Sequence, residues 1–194
     1  MSKLPPPRLV ASGFTLIELM VTVAVLGIVS AVVINATGSE WRRERVNGVA
    51  IELAAWLEAV RSSSQRLGGN GCTVTFSSGT LAAGAEIARV APAACAPTSP
   101  VSTNDANARA FRLPAVADGP DRYGVALAPA NPTTLSFTPR NSVSATVNTD
   151  LKVHLAGTTQ LRCVRLTPTL GLIQIGSNGA AASSAANCTS YAVF

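Results

Sequence analysis

The chain of 194 residues has room for one domain of ordinary size behind an apolar N-terminal segment. Apolar residues make up 47% and aromatic residues 5%, so we expect a mainly aliphatic core. The formal net charge of +5 is too small an excess to indicate nucleic-acid binding by itself. The sequence has no nucleophile–base pattern and no glycine-rich phosphate loop, and its single histidine, His154, lacks metal-ligand spacing to any cysteine. We therefore expect no enzyme activity, no metal site and no cofactor.

An apolar run of 23 residues, Phe14–Ala36, lies close to the N-terminus and contains one acid, Glu18. As a helix it would extend about 34 Å, which is enough for a bilayer core of about 30 Å. It is longer than the apolar part of a cleaved secretory signal, about 7–15 residues, and no small-residue cleavage site follows it. The basic residues Lys3 and Arg8 precede it, so we predict a transmembrane helix over 14–36 with a cytoplasmic leader over 1–13.

The residues Gly13-Phe14-Thr15-Leu16-Ile17-Glu18-Leu19-Met20 resemble the prepilin signature of type IV pilins and type II secretion pseudopilins. This resemblance implies that a prepilin peptidase cuts after Gly13 and N-methylates Phe14. It also implies a single-pass inner-membrane protein with a periplasmic domain. Such a protein assembles into a filament together with other pilins or pseudopilins.

Glu18 is the one charged residue inside the predicted membrane span. A carboxylate inside hydrocarbon costs about 2.5–3.5 kcal/mol on translocon scales, so its presence there suggests a function. We expect it to pair with the amine of Phe14, in its own chain or in a neighbouring subunit. The resemblance implies the neighbour, because such a pair sets axial register in the filament. The alternative is that Glu18 extends toward the headgroups at the membrane surface.

From Ser39 onward the pattern becomes amphipathic and predicts that the helix continues to about Arg66. Asn35 and Gly38 lie between the two halves and are weak helix formers, so a kink at this point is the alternative to a continuous helix. The Gly-rich stretch after Leu67 ends the helix. We therefore predict an amphipathic second half over 37–67. Its apolar stripe consists of Val46, Val49, Ala50, Leu53, Trp56, Leu57 and Val60.

Residues 68–194 alternate between short apolar segments and turn clusters, which is typical of an antiparallel β-domain. We expect exposed loops over 91–107 and 177–187, where Pro, Ala, Ser, Asn and Gly dominate. The candidate strands are Cys72–Phe76, Ala85–Val90, Ala110–Leu113, Gly124–Ala128, Thr134–Thr138, Ser144–Asn148 with Lys152–Leu155, Leu161–Leu166, Leu170–Ile175 and Ser190–Phe194.

Four cysteines, Cys72, Cys95, Cys163 and Cys188, all follow the apolar run. An even number of cysteines is typical of an oxidising compartment, and four allow three disulfide connectivities. We predict the nearest-neighbour pairs Cys72–Cys95 and Cys163–Cys188, because these close two loops of similar size.

The stretch ERVNGVAIELAAWLEAVRSSSQ resembles the second helical half of FimT/GspH-type minor pilins, and the segments 134–141, 161–166 and 170–175 resemble their C-terminal β-region. Asn141 stands where a turn glycine is common, and asparagine tolerates the same positive φ. The resemblance implies an α+β, type IV pilin-like fold, with a long N-terminal helix packed on a C-terminal antiparallel sheet. It further implies a structural minor pilin or pseudopilin that helps to initiate or decorate a type IV pilus or a secretion pseudopilus.

The alternative function is DNA binding, as a minor pilin of a DNA-uptake pilus. Some FimT-like proteins bind DNA through Gly-Arg-x-Arg on the last hairpin, and the matching residues 171–174 here, Gly-Leu-Ile-Gln, have neither arginine. Arg140, Arg162 and Arg165 remain as possible DNA contacts. Arg162 and Arg165 are three apart on a predicted strand and should point to opposite faces, which argues against one shared patch.

Overall fold

The computed structural model describes residues 14–69, 71–97, 109–114, 122–181 and 183–194, with the backbone alone described for 32–39. The predicted leader, including Gly13, and most of the predicted loop over 91–107 lie outside these residues. The chain divides into two compact units between Glu40 and Trp41.

The helix α1, Leu16–Leu67, contains 52 residues and is helical through Asn35 and Gly38, where the sequence left a kink open. It ends where Gly68 adopts a φ of +61°, a left-handed conformation that glycine adopts without a steric penalty. Every residue of the predicted apolar stripe is buried in the second unit. The sequence period therefore identified the packed face of the helix correctly.

In the described part of the chain, ten strands follow α1, and all of their pairings are antiparallel. The four-stranded sheet has the order β4-β3-β1-β6, and the six-stranded sheet has the order β10-β9-β8-β7-β5-β2. A short 3-10 helix, Ala93–Cys95, follows β3. The strands are β1 Cys72–Phe76, β2 Gly79–Ala82, β3 Glu86–Ala91, β4 Ala110–Arg112, β5 Arg122–Ala128, β6 Thr134–Phe137, β7 Thr149–Leu155, β8 Leu161–Leu166, β9 Ile173–Asn178 and β10 Ser190–Val193.

The predicted strand Ser144–Asn148 is wrong. Val143 forms only an isolated bridge with Phe137, and the Ser144 hydroxyl accepts a hydrogen bond from the Ser136 N–H. The side-chain bond to the backbone replaces a regular strand pairing here. The regular strand β7 begins at Thr149 and is longer than the predicted Lys152–Leu155.

The predicted strand Leu170–Ile175 begins too early, because residues 167–172 form a turn. The Gly171 N–H donates to the Thr167 carbonyl and the Leu172 N–H donates to the Thr167 hydroxyl, so β9 starts at Ile173.

The strand β2, Gly79–Ala82, was not predicted from the sequence. It is short, mostly exposed and at the edge of its sheet, so it carries no apolar alternation.

The main core joins the second half of α1 to both sheets. Trp56 is fully buried, and its ring lies 6.2 Å from the ring of Phe111, in a tilted orientation. At the end of the helix the buried Ser64 hydroxyl donates to the Phe137 carbonyl at 2.7 Å. The second half of α1 is therefore part of the hydrophobic core of the β-domain.

A loop of residues 179–189, described except at position 182, lies over the other face of the six-stranded sheet; we term it the covering loop. The disulfide Cys163–Cys188 joins it to β8, and the Lys152 ammonium donates to the Asn187 side-chain oxygen at 2.7 Å. The second disulfide joins Cys72 to Cys95, so both bonds are the predicted nearest-neighbour pairs.

An ion pair fastens the C-terminal strand to the same face. Two guanidinium nitrogens of Arg165, Nε and Nη2, donate to the Asp150 carboxylate, at 2.6 and 2.8 Å. The Tyr191 hydroxyl donates to Asp150 at 2.8 Å, and the Arg165 guanidinium lies 3.5 Å from the centre of the Tyr191 ring. A Cβ on Gly176 would lie 2.5 Å from the Tyr191 ring, so this contact requires glycine.

We expect this cluster to make stability fall in alkaline solution. Burial and the hydrogen bond to Asp150 raise the pKa of Tyr191 in the folded state above its ordinary value. Above about pH 10 the unfolded chain releases a proton that the folded chain keeps, so the free energy of unfolding should decrease as pH rises. Denaturant titrations between about pH 9 and pH 11 should show a shallower decrease in Tyr191→Phe. An unchanged decrease in this variant would contradict the assignment.

Candidate functional site

The described side chains of the first unit form a helix surface that is apolar and exposed. Phe14 is 83% exposed, and Leu16, Ile17 and Met20 are each more than half exposed. Soluble monomers rarely expose apolar surface continuously over several helical turns. This segment therefore requires a lipid or protein environment to cover it.

Thr15 and Glu18 form a capping box at the start of this helix. The Glu18 carboxylate accepts hydrogen bonds from the Thr15 N–H at 2.9 Å and from the Thr15 hydroxyl at 2.8 Å. In return, the Glu18 N–H donates to the Thr15 hydroxyl oxygen at 3.3 Å. These bonds satisfy backbone donors that no helical carbonyl reaches, and they hold the negative charge at the positive end of the helix dipole.

The capping box gives Glu18 a partner within its own chain before any processing. The free amine of Phe14, which the sequence predicted as the partner, exists only in a chain cut after Gly13. In the uncut chain the carboxylate bonds to Thr15 instead. The sequence reasoning missed Thr15, although Thr-x-x-Glu before an apolar run is the ordinary pattern of a capping box.

The three arginines considered for DNA contact do not form one patch. On β8, Arg162 lies on the side of the main core and its Nε donates to the Asn47 side-chain oxygen of α1. Arg165 lies on the opposite face, where its hydrogen bond to Asp150 raises its pKa. Arg140 is exposed in the turn after β6, in the other sheet. The predicted opposite orientation of Arg162 and Arg165 is confirmed.

His154 is buried in β7, and its Nε2 donates to the Thr158 carbonyl at 3.0 Å. The bond holds the ring against the turn that connects β7 to β8. Among the described residues, no group of His, Cys, Asp or Glu is arranged to hold a metal ion.

Residues 9–34 match the family model of the prokaryotic N-terminal methylation motif. No curated protein matches the chain, and no solved structure matches it. Within the part of the chain that the structure describes, no helix combines the length and the apolar character needed to cross a membrane. The match contains Gly13, Phe14, Thr15 and Glu18, so the residues of the capping box lie inside it. At residues 9–34, therefore, the chain carries the N-terminal methylation signal that is typical of type IV pilin-like proteins.

Proposed function

We propose that the chain is a minor pilin or pseudopilin of the FimT/GspH kind, a structural and non-catalytic component. Prepilin peptidase processes it, and it then helps to initiate or decorate a type IV pilus or a type II secretion pseudopilus. The observation that carries this proposal is the methylation motif at residues 9–34, in which the apolar, exposed start of α1 holds Glu18.

The apolar helix surface supports a role in which its environment changes. Before assembly, the run 14–36 anchors the chain in the inner membrane, with the second unit in the periplasm. In a filament, the same surface packs against equivalent helices of other pilins. Both environments remove the exposed apolar side chains from water, which favours each state over the free chain.

The two disulfides support a location outside the cytoplasm. Both lie in the second unit. The cysteines of the first disulfide are 23 positions apart in the sequence, and those of the second are 25 positions apart. Disulfides persist in the periplasm and are rare in the reducing cytoplasm. They fasten the 3-10 helix after β3 and the covering loop, two irregular segments that have few regular backbone pairings.

Processing tests the proposal directly. We expect the mature protein to begin at Phe14 and to carry one additional methyl group on its amine, when it is produced in a host with a prepilin peptidase. Intact-mass spectrometry should show this species, and a peptidase-deficient host should yield the uncut chain as the matched control. A mature chain that retains residues 1–13, or one that begins after Ala36, would contradict the proposal.

Deletion of the gene in its own host distinguishes a type IV pilus from a type II secretion pseudopilus. Loss of surface pili with intact protein secretion would assign the chain to a type IV pilus. Loss of secretion with intact pili would assign it to a secretion pseudopilus. Restoration by the full chain, but not by a version with Gly13→Asp, would connect either phenotype to processing at this site.

A further inference from the structure

A polar pocket of about 330 Å³ lies on the outer face of the six-stranded sheet, where β7 turns into β8. Its lining includes Arg122 at the start of β5, His154 on β7, Gly157 in the turn and Ser183 and Ser184 of the covering loop. None of the lining residues is acidic. The pocket therefore combines the Arg122 guanidinium with serine and threonine hydroxyl groups, and no lining carboxylate opposes an anion.

The covering loop closes one side of this pocket because β5 has a glycine at the point of contact. A Cβ on Gly124 would lie 3.1 Å from the Ser184 hydroxyl oxygen, so the loop approaches the strand closely at this point. The loop is also held by Cys163–Cys188 and by the bond from Lys152 to Asn187. The loop that carries Ser183 and Ser184 is thus joined to the sheet at Asn187 and Cys188.

The helix contributes two further arginines to the same turn. A Cβ on Gly157 would lie 3.1 Å from Nη1 of Arg42, so this guanidinium lies close to Gly157, one of the residues that line the pocket. Nη2 of Arg43 lies 3.5 Å from the Thr159 hydroxyl in the same turn. On this part of the helix the acid Glu44 accepts a hydrogen bond from Asn47, and a second acid, Glu40, precedes Arg42 by two residues. Three arginines from α1 and β5 therefore lie near the turn between β7 and β8.

We propose that this pocket binds the phosphate group of an anionic phospholipid headgroup. Guanidinium groups bind phosphate oxygens through paired N–H donors, and hydroxyl groups suit the polar remainder of a glycerol headgroup. The inference rests on the membrane anchor proposed above, because the chain enters the second unit at Trp41, one residue before Arg42. Tryptophan beside arginine is typical of the membrane–water interface.

The anchor makes such a site effective even at low intrinsic affinity. Because the anchor and the second unit belong to one chain, the headgroups of the same bilayer are available to the second unit at high effective concentration. Duplex DNA is the less favoured ligand, because a few arginines around one pocket neutralise fewer phosphates than the extended surfaces that bind DNA at physiological salt. A headgroup requires contact with only one phosphate group.

The test uses the full chain in neutral detergent micelles at about 150 mM salt, where surface charges are screened beyond about 8 Å. Short-chain phosphatidylglycerol and short-chain phosphatidylcholine are titrated by calorimetry. We expect the anionic lipid to bind about tenfold more tightly, a difference of about 1.4 kcal/mol. The double variant Arg42→Gln/Arg122→Gln should remove this preference. Arg42→Lys/Arg122→Lys should keep part of it, because lysine binds phosphate as a point charge.

The matched control is Arg66→Gln/Arg140→Gln, which changes the net charge equally at two exposed arginines away from the pocket. It should retain the preference. An equal loss in both double variants would show general charge attraction and overturn the inference. So would equal binding of the two lipids by the unaltered chain. Should Arg42→Gln/Arg122→Gln lose its native circular dichroism, the single variant Arg122→Gln decides, because Arg122 is exposed.

Two further ligands separate the possible sources of phosphate. Inorganic phosphate that binds as tightly as phosphatidylglycerol would overturn the lipid assignment in favour of a free anion. A short DNA duplex that binds more tightly, and whose binding depends on Arg42 and Arg122, would reassign the pocket to nucleic acid. The micelle assay requires no bilayer insertion, and alkaline extraction of native membranes reports anchoring separately. Failure of the headgroup-binding proposal is therefore distinguishable from failure of the membrane-anchor proposal.

Discussion

Replacement of Glu18 by alanine is expected to leave the chain in the membrane fraction and to lower its recovery in sheared filaments by about tenfold or more, which corresponds to a loss of about 1.4 kcal/mol or more. Removal of the carboxylate makes membrane residence more favourable, because a buried charge is costly in hydrocarbon. It also removes the carboxylate that we propose as the partner of the Phe14 amine in the mature chain. Quantitative immunoblotting of sheared filaments and of membranes measures both effects.

Two matched variants separate the charge of Glu18 from its capping role. Glu18→Gln retains an oxygen that can accept the Thr15 hydrogen bonds but lacks the charge, and glutamine is an ordinary residue at this capping position. Thr15→Ala removes the cap and keeps the charge. We expect Glu18→Gln to fail in assembly and Thr15→Ala to assemble. Normal filament recovery of Glu18→Gln would contradict pairing with the Phe14 amine.

Replacement of Trp56 by alanine is expected to lower the free energy of unfolding by about 3–5 kcal/mol. Trp56 is fully buried and packs on Phe111, so its loss leaves a cavity where helix and four-stranded sheet meet. Guanidinium denaturation of the full chain in neutral detergent, followed by circular dichroism, measures this difference.

The chain contains its own control in Trp41, which is 64% exposed. Trp41→Ala should change the free energy of unfolding by no more than about 0.5 kcal/mol, as is usual for surface positions. Equal losses in the two variants would contradict the central place of Trp56 in the core. A loss at Trp56 alone would confirm that the second half of α1 stabilises the β-domain.

Local patterns predicted the helix and the central strands well, because buried faces impose a period on the sequence. The apolar stripe from Val46 to Val60 is buried throughout, and β1 and β8 have the predicted bounds. Asn141 adopts the positive φ expected of a turn residue, +66°. In each case the residues that decide the conformation are neighbours in the chain, so the sequence contains the necessary information.

The strand predictions fail in two situations. One is a strand at the edge of a sheet, which has a neighbouring strand on one side only. The other is a segment in which side chains form hydrogen bonds to the backbone. At the sheet edge β2 has no apolar alternation, and Ser144 and Thr167 replace expected strand pairing with side-chain hydrogen bonds. Such bonds depend on where the partner strand lies. A pattern along one segment therefore does not reveal them.

The sequence by itself determined the methylation motif at 9–34, the helix that begins within it and the buried face of that helix, since each depends on residues close together in the chain. Only the tertiary structure decided what the charged residues do. Arg165 contacts Asp150 and Tyr191, whereas Arg42 and Arg122 both lie near the turn between β7 and β8 although they are far apart in sequence. The physical reason is that pairing register and the path of the covering loop set which long side chains meet, and these are properties of the whole sheet.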